Sequence, residues 1–283
     1  MKNSVNFHVT LVLCAFAAAL ANPVAAVESI EALKELEQKS QAVARDAMPK
    51  TVALISASTS ASGSGIVVSE KGLILTAAHV VDGADEVQVV FPNGKETRGT
   101  VLGSNFSKDI GMVRISEDAE WPHVELGDSS KLKAGSWVIA IGHSEGFDPA
   151  RTPPIRFGRV VSTGPGNFFT SDCTLIGGDS GGPIFDLEGK LVGINSSIGE
   201  ALSNNNHGGI DGFREDWDRL IAGESWGELQ LNPLANPERP VIGIEMGREL
   251  RDGGVPIARV TPRSPADKAG LRRGDIIRAV NGT

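Results

Sequence analysis

Residues Gly177-Gly-Asp-Ser-Gly-Gly-Pro183 set one serine among four glycines and a proline. Two readings compete for this stretch: a bare turn between strands, or the setting of a nucleophile. A serine hydroxyl is a weak nucleophile. It needs a base to take its proton and a pair of donors to hold the developing oxyanion. Glycines upstream of Ser180 let the backbone take left-handed angles, so the N–H groups of Gly178 and Ser180 can aim at one point. Gly181 and Gly182 leave room for a substrate backbone. A lone Ser-Gly pair is common and says little. The longer Gly-Asp-Ser-Gly-Gly-Pro run is far more specific.

The candidate base is His79 in Leu75-Thr-Ala-Ala-His-Val-Val81, where Ala77 and Ala78 let the ring sit close to a neighbouring backbone. His143, in Ala140-Ile-Gly-His-Ser-Glu-Gly146, is its one rival. His8, His123 and His207 lie in a leader-like or polar, loop-like context. The candidate acid is Asp109 in Ser107-Lys-Asp-Ile-Gly-Met-Val-Arg-Ile115, where an apolar strand begins and a carboxylate can be buried and aimed. Asp82 and Asp85 follow His79 on what reads as a solvated turn, and Asp118 reads as exposed. The order His79, Asp109, Ser180 is the chymotrypsin-type order, unlike those of subtilisin and the α/β-hydrolases.

Around these residues the texture is short β-type runs divided by Gly, Asn, Asp and Pro. About nine runs between Thr51 and Ile198 carry no long helix, which predicts an all-β barrel pair and excludes a parallel βαβ sheet. Two helices flank the region. One is charged, over Ser29–Met48, with a thin apolar stripe and Pro49 at its end. The other has Phe213, Trp217, Leu220 and Ile221 on one face. The chain divides into a signal peptide (1–26), a helical segment (27–49), a catalytic domain (50–222), a linker (223–239) and a second β segment (240–283).

The first 26 residues read as a secretory leader. Lys2 is their only charge with His8 neutral, an apolar run spans Val9–Leu20, and small residues Val24 and Ala26 precede the cut, with Ala21 a second candidate. The run is too short to span a membrane, so no membrane contact is expected after cleavage. The formal charge of −8, without a Lys/Arg block, argues against nucleic acid as a partner. Cys14 leaves with the leader and Cys173 stays alone, so no disulfide is expected. No Cys/His spacing suggests a metal, and no cofactor is required.

With these pieces in order, the chain resembles a trypsin-fold serine protease of the HtrA (DegP/Deg) type. The matching stretches are residues 62–81, 108–115, 134–142, 170–184 and 189–199. The resemblance implies two six-stranded barrels with the site between them. It implies His79 as general base, Asp109 as its orienter, Ser180 as nucleophile, and the N–H groups of Gly178 and Ser180 as the oxyanion hole. Substrate would add as a strand along Gly193, Ile194, Asn195, Ser196 and Ser197. Thr174 and Leu175 would line a small apolar pocket suited to Val or Ala. The activity implied is endoproteolysis of misfolded or unstructured protein in the periplasm or outside the cell. The alternative is a chaperone-like or peptide-binding protein on the same scaffold. Trypsin-like zymogens differ: they need a liberated N-terminal amine to pair with the aspartate before the serine, and no Ile-Val-Gly-Gly-like stretch occurs here.

Three features depart from the family. Asp179 stands where such proteins commonly have Asn, and a carboxylate beside an oxyanion hole opposes the developing charge unless a cation or N–H holds it. Residues 27–50 contain no aromatic residue, so a homotrimer is implied by the resemblance alone. Residues 241–246 and 257–282 resemble the first half of a PDZ domain. Val241–Ile244 would form the carboxylate-binding loop, Pro265–Ala269 a short helix and Asp275–Val280 a strand. The second helix of such a domain would lie past Thr283, so the segment reads as an incomplete groove, from a truncated product or an incomplete sequence.

Overall fold

The computed structural model describes residues 29–56, 62–164, 166–201, 203–229, 242–246, 254–260 and 264–279. The expected leader, Val241, Val280 and most of the expected linker lie outside the described residues. Helix α1 (Ile30–Ala47) starts where Ser29 Oγ accepts from Ala32 N at 3.1 Å. This is an N-cap that satisfies a donor the helix cannot. Only Val43 and Ala47 of α1 are buried, and the helix ends in a short 3-10 turn with Pro49.

The first barrel consists of β1 (Thr51–Ile55), β2 (Ser62–Val67), β3 (Leu73–Thr76), β4 (Glu86–Val90), β5 (Glu96–Asn105) and β6 (Ile110–Ile115), with β5–β6 pairing closing it. Strand β5 pairs with β4 and β6, and its register with β6 shifts between Val101 and Ser104. Such a bulge bends a strand. The second barrel closes in the order β10-β11-β12-β9-β8-β7. Its strands are β7 (Trp137–Ile141), β8 (Ile155–Thr163), β9 (Phe168–Ser171), β10 (Pro183–Phe185), β11 (Leu191–Ala201) and β12 (Asn204–Gly209). Helix α2 (Ile210–Ile221) buries Phe213 and Leu220, and Trp217 and Ile221 pack half-buried on the same core. Ile139, Ile141, Phe185 and Ile194 of the second barrel share a continuous apolar core with Val52, Leu54 and Ile66 of the first. The seam between the barrels is therefore packed, and the loops at its rim are held on both sides.

The sequence pattern misses three barrel strands: β5, β9 and β12. Strand β12 reads Asn-Asn-Asn-His-Gly-Gly, among the poorest strand formers. It pairs on one side with β11 and on the other with β9, and Asn205 donates from Nδ2 to the Cys173 carbonyl at 3.0 Å. Pairing on both edges overrides local propensity. Past α2, β13 (Ser225–Trp226) pairs parallel with Ser104 and Asn105, so the start of the expected linker adds to the first barrel. The C-terminal segment forms a sheet of β14 (Ile244–Met246), β15 (Val255–Val260) and β16 (Ile276–Ile277), with the four-residue helix α3 (Pro265–Lys268).

Candidate active site

His79 sits in a 3-10 turn (Ala78–Val80) directly after β3. Ala77 and Ala78 are fully buried there, as their small size allows. Asp109 precedes β6 with φ at +50°, a left-handed angle that Asp tolerates better than most residues. Its carboxylate is buried and faces three donors. His79 Nδ1 lies 2.9 and 3.0 Å from the two oxygens, His79 N donates at 3.2 Å, and Ser196 Oγ donates at 2.6 Å. A carboxylate only accepts, so Nδ1 carries the proton and Nε2 is left with a lone pair. The sequence reading placed Ser196 in the substrate strand and missed this third hold on Asp109. A hydroxyl in a strand carries no sequence signal of such a role.

Ser180 is anchored by its own carbonyl, which accepts from Ser64 N at 2.7 Å. Its Oγ donates to the Ser196 carbonyl at 3.2 Å and must turn from there to reach His79 Nε2. His79, Ser180 and Ser196 share a cavity of about 190 Å³ with Leu175, Ile176, Ser197 and Ile198. Gly178 takes φ +92°. The Gly177 carbonyl before it accepts from Glu145 N at 2.6 Å. Carbonyl and N–H point opposite ways across a trans peptide, so this bond turns the Gly178 N–H away from the Glu145 loop. Among the described residues no acceptor takes the N–H of Gly178 or Ser180.

The trypsin-like peptidase domain family matches residues 63–194, and the PDZ domain family matches residues 257–283. A probable periplasmic serine endoprotease DegP-like of Marinomonas sp. is 36% identical over 233 residues, covering 78% of this chain and 48% of that protein. The putative serine protease HhoA of Synechocystis sp. is 34% identical and covers 78% and 60%. The crystal structure of the serine endoprotease from Yersinia pestis superposes with a TM-score of 0.57 at 26% identity, covering 86% of this chain and 83% of that one. The chain belongs to the HtrA-type, trypsin-fold serine proteases. It spans about half the length of the DegP-like relatives it matches.

In this HtrA-type chain two expectations about the substrate site change. Thr174 is exposed and does not line the cavity, whereas Leu175, Ile176 and Ile198 do. Gly193, Ile194 and Asn195 cannot pair a substrate. Gly193 and Ile194 bond β10 on one edge and β12 on the other, and Asn195 N and O are taken by Gly182 and Gly181 at 2.7 Å each. Among the described residues, the edge of β11 facing the site opens from Ser196.

The other histidines lie elsewhere: His8 is outside the described residues, and His123 Nδ1 lies 3.1 Å from the Trp121 carbonyl. His143 is buried with Nε2 at 3.3 Å from the Thr51 carbonyl, and burial lowers its pKa. His207, read as loop-like, is fully buried in β12. Its Nε2 meets Ser171 Oγ at 2.6 Å, its ring stacks on Phe169, and burial pushes its pKa down to about 3. This Ser171–His207 pair does not engage Asp109, which His79 and Ser196 hold. Burial likewise raises the Cys173 thiol to about 11. Asp82, Asp85 and Asp118 are exposed. Asp179 is fully buried, with the Arg156 guanidinium on its carboxylate. No group of His, Cys, Asp and Glu among the described residues could hold a metal.

Proposed function

We propose that this chain is an exported serine endopeptidase that cuts unfolded or unstructured polypeptide by an acyl-enzyme route. One observation carries the reading: His79, held by Nδ1 on the buried Asp109 carboxylate, lines the same small cavity as Ser180. The Ser180 hydroxyl leaves the Ser196 carbonyl and gives its proton to His79 Nε2 as the oxygen attacks the scissile carbonyl. Asp109 keeps the imidazole in the useful tautomer and stabilises the imidazolium. The unused N–H groups of Gly178 and Ser180 receive the oxyanion. His79 then protonates the leaving amine, and water, deprotonated by the same ring, releases the acyl group.

Substrate extends along Ser196–Ile198 by main-chain hydrogen bonds, which read an extended backbone and not a folded one. The apolar pocket of Leu175, Ile176 and Ile198 takes Val or Ala before the cut. Export is supported by the leader-like composition of residues 1–26 and by relatives named periplasmic. The test is labelling of the purified chain by a fluorophosphonate, together with digestion of a permanently unfolded protein and mass mapping of the cuts. Wild type labels and cuts after small aliphatic residues, and Ser180→Ala does neither. A wild type that neither labels nor cuts refutes the reading.

A further inference from the structure

Asp179 is an ionisable side chain inside the protein, immediately before Ser180. Its carboxylate is 1% exposed, against 17% for Arg156. A buried charge costs several kcal/mol unless it is paired and its remaining lone pairs are filled. Both conditions hold here. Arg156, near the start of β8, donates from Nη1 to Oδ1 at 2.9 Å and reaches Oδ2 from Nη2 at 2.8 Å. Ser144 Oγ donates to Oδ1 at 2.7 Å, and Ile176 N donates to Oδ2 at 2.9 Å. Oδ1 accepts two hydrogen bonds, Oδ2 accepts one and also faces Nη2 across the ion pair, so the fork of the guanidinium spans both oxygens. Gly142 makes room, since a Cβ there would lie 2.6 Å from Oδ1.

The network continues to the backbone that faces the substrate. Arg156 Nη2 also donates to Ser144 Oγ at 2.7 Å, so the fork holds Ser144 and Asp179 together. Arg151 donates to the Ser144 carbonyl from the other side. The next residue, Glu145, is held at φ +60°, and its N–H grips the Gly177 carbonyl at 2.6 Å. That bond sets the plane of the 177–178 peptide and with it the direction of the Gly178 N–H. The Arg156 side chain makes no hydrogen bond to Ser180 or His79 among the described residues.

We propose that Arg156 is a built-in positioning cation: by pairing with Asp179 and Ser144 it keeps the 177–178 peptide turned so that the Gly178 N–H serves the oxyanion. It supplies from within the barrel the positive charge that zymogen-type trypsin relatives obtain from a liberated N-terminal amine. The oxyanion hole of this chain is therefore assembled without proteolytic activation. The inference rests on the endopeptidase reading above.

The test compares wild type, Arg156→Gln and Arg156→Lys on an aliphatic peptide anilide, with the affinity of a matching peptide boronate as a second readout. The boronate adduct is tetrahedral and uses the oxyanion hole, whereas substrate binding before attack does not. Arg156→Gln is expected to lower kcat about 100-fold, the scale for losing one oxyanion donor. KM should change less than about threefold, and boronate affinity should fall in step with kcat. Adding Asp179→Asn to Arg156→Gln removes the unpaired carboxylate and recovers part of the loss. A folded Arg156→Gln chain with kcat and boronate affinity within about threefold of wild type overturns the inference, as does a loss confined to KM. If Arg156→Gln does not fold, Arg156→Lys carries the test. It keeps the charge but loses the fork, and a kcat and boronate affinity equal to wild type overturn the claim. A wild type that neither labels nor cuts overturns the endopeptidase reading and this inference with it. A wild type that cuts no faster than Arg156→Gln overturns the inference alone.

Discussion

Gly178→Ala should nearly abolish turnover while leaving substrate binding in place. Gly178 has φ +92°, where an alanine costs about 1–2 kcal/mol. The larger effect is spatial. A Cβ built there lies 2.4 Å from the His143 carbonyl oxygen, 2.7 Å from Glu145 N and 2.8 Å from Gly146 N, while ordinary contact begins at 3.4 Å. All three neighbours are backbone atoms and cannot swing aside as a side-chain tip would. The turn must therefore retreat by about 1 Å, the scale of misplacement that costs roughly 100-fold in rate. Losing one oxyanion donor outright costs 100- to 1,000-fold in kcat, about 2.7–4 kcal/mol. The expected kcat is thus lower by about 100-fold or more. KM stays within about threefold, because the open edge at Ser196–Ile198 is untouched. Gly94→Ala is the control. It has φ +83° but nothing within 4 Å of its Cβ, so it should lose about 1 kcal/mol of stability and no activity. The assay is steady-state cleavage of a peptide anilide with Val before the cut, alongside urea unfolding of each variant. A folded Gly178→Ala chain with kcat within about threefold of wild type would refute the assignment of that N–H.

Three further outcomes follow from the same geometry. A peptide library should show preference for Val or Ala before the cut; preference for Arg or Lys would overturn the pocket of Leu175, Ile176 and Ile198. Ser196→Ala removes the 2.6 Å hydrogen bond on Asp109 and should lower kcat about 10-fold, roughly the 1.5 kcal/mol of a hydrogen bond to a charged group; rates equal to wild type would make Ser196 a bystander. His207 has a folded pKa lowered to about 3 against an ordinary value near 6.5. The unfolded chain therefore binds the extra proton first, and stability is full above pH 6.5 and falls as pH drops toward 3. Linkage gives a loss of about 2 kcal/mol from this group between pH 7 and 5. Urea midpoints across that range, compared with His207→Gln, should show the wild-type slope steeper; equal slopes would remove His207 as the cause.

Much of the fold is legible in the chain because the strands that build its core are apolar runs. Thr51–Ile55, Leu73–Thr76 and Trp137–Ile141 declare themselves through composition, and so does the stripe of Phe213, Trp217, Leu220 and Ile221. Strand β12 does not. Its Asn-Asn-Asn-His-Gly-Gly run is a strand because β11 and β9 flank it on both edges, a fact with no local signature. The same failure of local reading put His207 in a loop.

The residues that meet at the cavity were open to the same reading for a chemical reason. A serine among glycines, a histidine behind two alanines and an aspartate where an apolar strand begins are costly arrangements that a merely structural turn does not need. Their order along the chain, with the texture of short β runs, determined the class of site. What tertiary structure decided is everything set by pairing across distance. Gly193–Asn195 lost its place as the substrate edge because both of its sides are occupied. Thr174 left the pocket and Ile198 joined it. Ser196 gained a hold on Asp109 from 87 residues away. The aspartate beside the nucleophile was an anomaly in the sequence, since nothing near it in the chain could neutralise it. Its partner, Arg156, is brought to it only by the closing of the second barrel, because a buried charge is satisfied by what the fold places beside it and not by its neighbours in the chain.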